Sequence, residues 1–154
     1  DLEIAIKESD AQIEVAELPV IQADKSQMQQ LFLNLLSNAV KFRRQDVSPH
    51  IKISHEHEAI FNEDHNAELS FQVITIKDNG IGFSQDYADK IFVPFQRLHG
   101  RSQYKGTGIG LSVCRRIVER HGGTITAQSK DGEGATFIIK LPVEAALFTL
   151  QGEA

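Results

Sequence analysis

Little in this chain favours cross-linking, membrane insertion or nucleic-acid binding. Its 154 residues hold one cysteine, Cys114, which excludes an internal disulfide framework and suits a reducing compartment. That thiol falls among Ile109, Val113, Ile117 and Val118, so a buried, inert sulfur is expected rather than a nucleophile. No apolar run approaches the ~20 residues that cross a bilayer, and no signal-peptide pattern leads the chain. A cytoplasmic setting without direct membrane contact is therefore expected. The formal charge is −5, with no basic stripe or arm, which argues against a nucleic-acid partner. Internal repeats are absent. The chain opens on Asp1 rather than Met, as expected of a piece of a longer protein.

What is present fits one soluble domain, with 41% hydrophobic and 24% charged residues. The patterning predicts the end of a helix over Leu2 to Ser9 and a strand over Gln12 to Glu17, stopped by Pro19. Asp24 reads as an N-cap, and Gln27 completes a capping-box pattern. A long helix follows to about Phe42, with Met28, Leu31, Phe32, Leu35, Leu36, Ala39 and Val40 as its buried stripe. Strands are expected over His50 to Glu58 and Leu69 to Lys77, joined by a polar hairpin or loop at Phe61 to Ala67. A short helix is expected over Asp86 to Ile91, and residues 96–107 show no period. Gly108 to His121 reads as a helix stopped by Gly122-Gly123, followed by a hairpin of Thr124 to Ser129 and Ala135 to Leu141. This irregular mixture of elements points to an α/β two-layer sandwich, a mixed sheet packed on about three helices. The domain is expected to span 1–143, with 144–154 as a tail of unknown role.

Three pieces of the sequence carry chemistry. Asn34, Asn38 and Lys41 share one face of the long helix, at spacings of four and three. Asparagine is a poor helix former, so two of them there are either a solvated face or a site. As a site, a carboxamide oxygen suits Mg²⁺ when phosphates supply the charge, a lysine one turn on reaches phosphate oxygens, and Phe42 can stack on a base. Asp78 closes a strand ahead of Gly80 and Gly82. It is either the cap of a turn or a carboxylate that accepts from the exocyclic amine of adenine. A second glycine box, Gly106-Thr107-Gly108-Ile109-Gly110-Leu111, leads into a helix whose free amides can face phosphate. The alternative is a flexible loop that ends at a helix. It matches neither the dinucleotide G-x-G-x-x-G nor the P-loop.

Together these pieces resemble the catalytic and ATP-binding domain of sensor histidine kinases, one branch of the GHKL ATPases. The resemblance rests on Asn34-Leu35-Leu36-Ser37-Asn38-Ala39-Val40-Lys41-Phe42, on Asp78-Asn79-Gly80-Ile81-Gly82-Phe83, on Ile91-Phe92-Val93-Pro94-Phe95-Gln96-Arg97-Leu98-His99, on Gly106 to Leu111, and on Gly132 to Pro142. It runs from about Ile4 to Val143, and the stretch from Arg97 to Tyr104 is similar to phytochrome-like and related PAS or GAF sensor kinases. It implies a Bergerat-type sandwich with a mobile ATP lid at 96–107. It implies that Asn38 coordinates Mg²⁺ with Asn34 beside it, that Lys41 contacts phosphate and that Phe42 packs at base and ribose. By the same resemblance Asp78 receives the adenine amine near Gly80, Ile81 and Gly82, and Thr136 assists near Asp78. Arg97 faces the γ-phosphate, while Gly106, Thr107, Gly108, Ile109, Gly110 and Leu111 line the phosphate end.

Other GHKL branches carry a glutamate four residues before the metal asparagine, where it activates water. This chain has Asn34 there, which cannot serve as a general base. The resemblance therefore implies phosphoryl transfer from Mg·ATP to a histidine on a separate dimerisation domain of the same parent protein, with a response regulator downstream. None of the six histidines has the acceptor's sequence context, so the fragment alone is not expected to autophosphorylate. His55 and His57 share a strand face but lack the further ligands of a metal site. A catalytically silent nucleotide-binding module and a hydrolase of another GHKL branch are the alternative readings.

Overall fold

Runs of β-branched residues alternating with polar ones set the sheet, and two stripes of apolar residues at helical spacing cover it. The computed structural model describes residues 2–94 and 110–143. Within them lie α1 (Leu2–Ser9), β1 (Gln12–Val15), α2 (Lys25–Lys41), β2 (His50–Asn62), β3 (Ala67–Asp78), α3 (Gly110–Arg120), β4 (Thr124–Ser129) and β5 (Ala135–Pro142). Among the described residues five strands form one sheet in the order β1-β2-β3-β5-β4. β1 runs parallel to β2 and the remaining pairs are antiparallel, so the sheet is mixed, as the patterning predicts.

One face of this sheet meets the helices. Ile51, Ile53, Ile74, Ile76, Phe137, Ile139 and Ile125 pack there against Leu31, Leu35, Ala39 and Val40 of α2 and Cys114, Ile117 and Val118 of α3. Each fully buried aliphatic side chain contributes about 1.5–3 kcal/mol. On the opposite face Lys140 Nζ reaches across β3 to Glu58 at 3.2 Å. Val73, which pairs with both Lys140 and Glu56, is buried beneath that crossing.

The caps bind the helices to one another. Asp24 accepts the Gln27 amide at 2.9 Å, as a capping box requires. The reciprocal bond goes elsewhere: the Asp24 amide donates to Nε2 of His121 at 3.1 Å. His121 is buried at the end of α3, and its Nδ1 bonds the Ile117 carbonyl at 2.8 Å. The imidazole therefore carries its proton on Nδ1, a tautomer assigned from the bonding pattern. Gly122, at φ +77°, closes α3 with paired bonds from Gly123 to Val118 and from Gly122 to Glu119, a Schellman termination.

Several expectations need correction. β2 runs to Asn62 and β3 starts at Ala67, so of the hairpin or loop expected at Phe61 to Ala67 the structure has the hairpin, its turn narrowed to a 3-10 turn at Glu63–His65 followed by left-handed Asn66. Ladder pairing continues through Ile60 with Leu69 and Phe61 with Glu68, and alternation with both faces wet reads as loop from sequence alone. The short helix expected at Asp86 to Ile91 is two 3-10 turns, Gln85–Tyr87 and Lys90–Phe92. Gln85 is tied to β4 while Ile91 and Phe92 are buried, which leaves too short a span to nucleate an α-helix. β1 ends at Val15 rather than Glu17. The expected lid at 96–107 and the tail at 144–154 lie outside the described residues.

Candidate functional site

α2 carries the core on one side and the candidate site on the next. Leu31, Leu35 and Ala39 are buried, while Asn34, Asn38 and Lys41 are half-buried along the flank. This is one helix wheel with two uses, set by the 100° step between residues. Lys41 Nζ lies 5.1 Å from the centre of the Phe42 ring, within cation–π range. Phe42 caps the helix, its amide donating to the Asn38 carbonyl at 3.0 Å. The Cys114 thiol of α3 lies near Asn34 and donates toward the Leu31 carbonyl at 3.8 Å. Burial pushes that thiol up to about 12, against the smaller opposing effect of Asn34. Cys114 is thus the inert buried sulfur expected of it.

The end of β3 is locked against the end of α2. Ile81 donates its amide to the Phe42 carbonyl at 3.0 Å. Gly80 is buried there, and a Cβ at this position would sit 2.6 Å from the same carbonyl oxygen. Asp78 Oδ1 accepts from the Gly80 amide at 2.9 Å and the Ala135 amide at 3.2 Å. Burial raises the Asp78 carboxyl above its ordinary range, with those two amides pulling the other way. Gly82 has φ +65°, and a Cβ would stand 2.3 Å from the Lys130 carbonyl oxygen, so only glycine fits.

The β4–β5 turn holds the other side of this loop. The Gly132 amide donates to the Ile81 carbonyl at 2.6 Å. Ser129 Oγ accepts from the Phe83 amide at 2.9 Å and donates to the Gly134 carbonyl at 2.6 Å. Thr136 does not bring its side chain to Asp78. It pairs with Lys77, and paired residues of an antiparallel ladder share a face. The buried, half-buried, buried run from Ala135 to Phe137 agrees. Ala135 is the β5 residue that meets Asp78; strand alternation turns Thr136 to the opposite face.

Arg97, Gly106, Thr107, Gly108 and Ile109 lie outside the described residues. Gly110 opens α3 on the exposed side, with open space where a Cβ would be. Leu111 packs against the core, so it anchors the start of the helix. The helix face and the glycine turn predicted from sequence are therefore joined in one place through Phe42 and Ile81. Reading by motif missed Asn79, Ser129 and Gln85. The Asn-Gly pair at 79–80 was the one signal available for them. His55 bonds Gln72 and His50 pairs with Glu14 at 3.0 Å, and no metal-binding group of His, Cys, Asp and Glu occurs among the described residues. Nor is any described helix long and apolar enough to cross a membrane.

Comparison with known proteins agrees with this fold. The sequence profile of the histidine kinase-, DNA gyrase B- and HSP90-like ATPases matches residues 23–145. Phytochrome-like protein Cph1 of Synechocystis sp. is 43% identical over 143 residues, 93% of this chain and 18% of its own length. Adaptive-response sensory-kinase SasA of Prochlorococcus marinus is 43% identical over 129 residues, 83% of this chain and 32% of its own. The chain thus spans less than a third of the length of these relatives. The mycobacterial sensor histidine kinase MprB shares the fold, with a TM-score of 0.71 at 23% identity over 92% of this chain and 90% of that one. The catalytic domain of histidine kinase ThkA gives 0.69 at 26% identity, over 94% and 87%. Full-length ShkA in complex with AMPPNP gives 0.67 at 25% identity, over 92% of this chain and 28% of that one.

Proposed function

The chain belongs to the histidine kinase-, DNA gyrase B- and HSP90-like ATPase family and is homologous to histidine kinase catalytic domains, and from that premise we propose that it binds Mg·ATP and donates the γ-phosphoryl group to a histidine on a separate domain. Residues 1–143 are the ATP-binding catalytic domain, with 144–154 a tail of unknown role. The acceptor domain belongs to the same parent protein, which is cytoplasmic or presents this part to the cytoplasm, and a response regulator takes the phosphoryl group onward. The observation that carries the reading is the bond from Ile81 to Phe42, which joins an acid-and-glycine turn to a carboxamide-and-lysine helix face.

The donor set fits Mg²⁺ held between protein and phosphates. Asn34 and Asn38 offer neutral oxygens and Lys41 a cation, with no carboxylate in the row, which suits a metal that takes its negative charge from a nucleotide. Asn38 would hold the ion, whose chemistry is neutralisation of phosphate charge. Lys41 contributes a point charge at the phosphates and Phe42 an apolar wall for base and ribose. Asp78 keeps Oδ1 on two backbone amides, which leaves the carboxylate oriented to accept from an adenine amine. Arg97 and residues 106–110 complete the phosphate end in this reading. Asn34 cannot act as a general base, so transfer relies on positioning rather than on water activation.

Calorimetry with and without Mg²⁺ on the wild type, Asn38→Ala and Asp78→Ala tests the site. Expected is Mg²⁺-dependent ATP binding that each substitution weakens at least about tenfold; tight binding indifferent to both sinks the assignment. Incubation with ATP and an acceptor-histidine domain in trans should then give acid-labile phosphohistidine. ATP consumption without acceptor would favour a hydrolase, and binding without transfer a silent module.

A further inference from the structure

We propose that Asn79 is a positioning residue that fixes the aim of Asp78, and so sets base discrimination without touching the nucleotide. The proposal rests on the reading of Asp78 as the adenine-facing group. Asn79 stands between Asp78 and Gly80, where a turn needs only a small polar residue. Yet both ends of its carboxamide are committed to protein. Oδ1 accepts the His50 amide at 2.7 Å, and Nδ2 donates to the Ser48 carbonyl at 3.1 Å. Its own carbonyl accepts from Arg44 Nε at 3.0 Å. Arg44 and Ser48 lie in the connection between α2 and β2, the segment that leaves Lys41 and Phe42, and His50 opens β2 directly after it.

A carboxamide is the side chain of this size that both accepts and donates across such a gap; an aspartate can only accept, and an alanine does neither. Asn79 therefore ties the backbone that follows Asp78 to the exit of the helix bearing Asn38 and Lys41. Among the described residues the Asp78 carboxylate makes no bond of its own to that connection. Its observed bonds run to Gly80 in the same turn and to Ala135 on the neighbouring strand. A rotation of the turn about the end of β3 would move the carboxylate relative to the helix face, and the three bonds of Asn79 oppose that rotation.

The test uses ATP and GTP as paired probes, because a residue that only stabilises the fold alters both affinities alike. Calorimetry on the wild type, Asn79→Asp and Asn79→Ala, with circular dichroism to confirm folding, is expected to show ATP binding about tenfold weaker, consistent with the loss of one or two hydrogen bonds. GTP binding should change less than about twofold, so the preference for ATP collapses. In amide spectra the Gly80 and Ala135 resonances should move. Unchanged ATP affinity, or equal weakening for ATP and GTP, overturns the proposal. If Asn79→Ala does not fold, Arg44→Ala decides: it removes only the bond to the Asn79 carbonyl, and a smaller loss of ATP preference in the same sense is expected, an unchanged preference being the overturning result. A wild type that binds no ATP overturns the nucleotide reading, and this proposal with it.

Discussion

The carbonyl of Phe42 accepts the amide of Ile81 at 3.0 Å and also blocks the space above Gly80, where a Cβ would come to 2.6 Å. One oxygen thus holds the glycine turn to the helix and dictates that residue 80 have no side chain.

Substitution at this contact should damage binding and folding together. Gly80→Ala must push the turn from the helix end, at about 2 kcal/mol for an overpacked site. Gly82→Ala adds a positive-φ penalty to a 2.3 Å approach on the Lys130 carbonyl and should cost more. Urea titration of the two variants checks this, and equal stability with wild type would contradict the close contact.

Asp78 should be a stability liability. Burial lifts its folded-state pKa above the ordinary 3.8, ahead of the opposing Gly80 and Ala135 bonds. The folded protein therefore holds the proton more tightly than the unfolded chain. The cost of the buried carboxylate is fully present above the folded pKa and is relieved as pH falls through it toward 3.8. Asp78→Asn keeps an oxygen for both amides and sheds the charge. It should be more stable at neutral pH by about 1 kcal/mol, the scale of a single stabilising substitution, and lose its advantage as pH drops toward the carboxylate range. Thermal melts across pH test this, and a less stable variant at neutral pH refutes it.

The two helices should depend on His121 and not on Gln27. His121→Ala leaves the Asp24 amide without its acceptor and opens a cavity, a loss of about 2–4 kcal/mol. Gln27 Oε1 is buried with no hydrogen-bond partner among the described residues, because His121 has taken the place the capping box assigns to it. Gln27→Met should therefore be neutral or stabilising by about 1 kcal/mol. Denaturation midpoints of both variants settle the pair, and a destabilised Gln27→Met would show that the glutamine has an unseen partner.

Cys114 should resist alkylation until the protein unfolds. With its pKa at about 12 rather than 9.0, its thiolate is about a thousandfold scarcer near pH 8. Iodoacetamide labelling should follow the unfolding curve in urea, and rapid labelling of the native protein would contradict the burial.

The parts of the fold legible in the sequence were those where a residue's neighbours are close along the chain. The α2 stripe, the Gly122 termination and the alternation of β5 are local patterns, and each appears where the pattern places it. The Asn34, Asn38 and Lys41 row is equally local, a matter of helical spacing. What escaped depended on residues far apart. Asp24 and Gln27 made a complete capping box on paper, but a histidine 97 positions away took the second bond. Thr136 was carried to Asp78 by resemblance, whereas the ladder register gives that place to Ala135. Asn79 looked like turn punctuation because nothing in a dipeptide reports the His50 amide, the Ser48 carbonyl and the Arg44 guanidinium that it would meet.

The two uses of α2 constrain how this protein can vary. Leu31, Leu35 and Ala39 point one way and Asn34, Asn38 and Lys41 another, on a backbone that turns 100° per residue. A substitution on either side is a local event. A single residue gained or lost between Leu31 and Asn34 would turn everything after it by about 100°, and the row of Asn34, Asn38 and Lys41 would leave the flank it holds beside Leu31. This helix can therefore exchange its letters across evolution while its length of chain between Leu31 and Phe42 stays fixed.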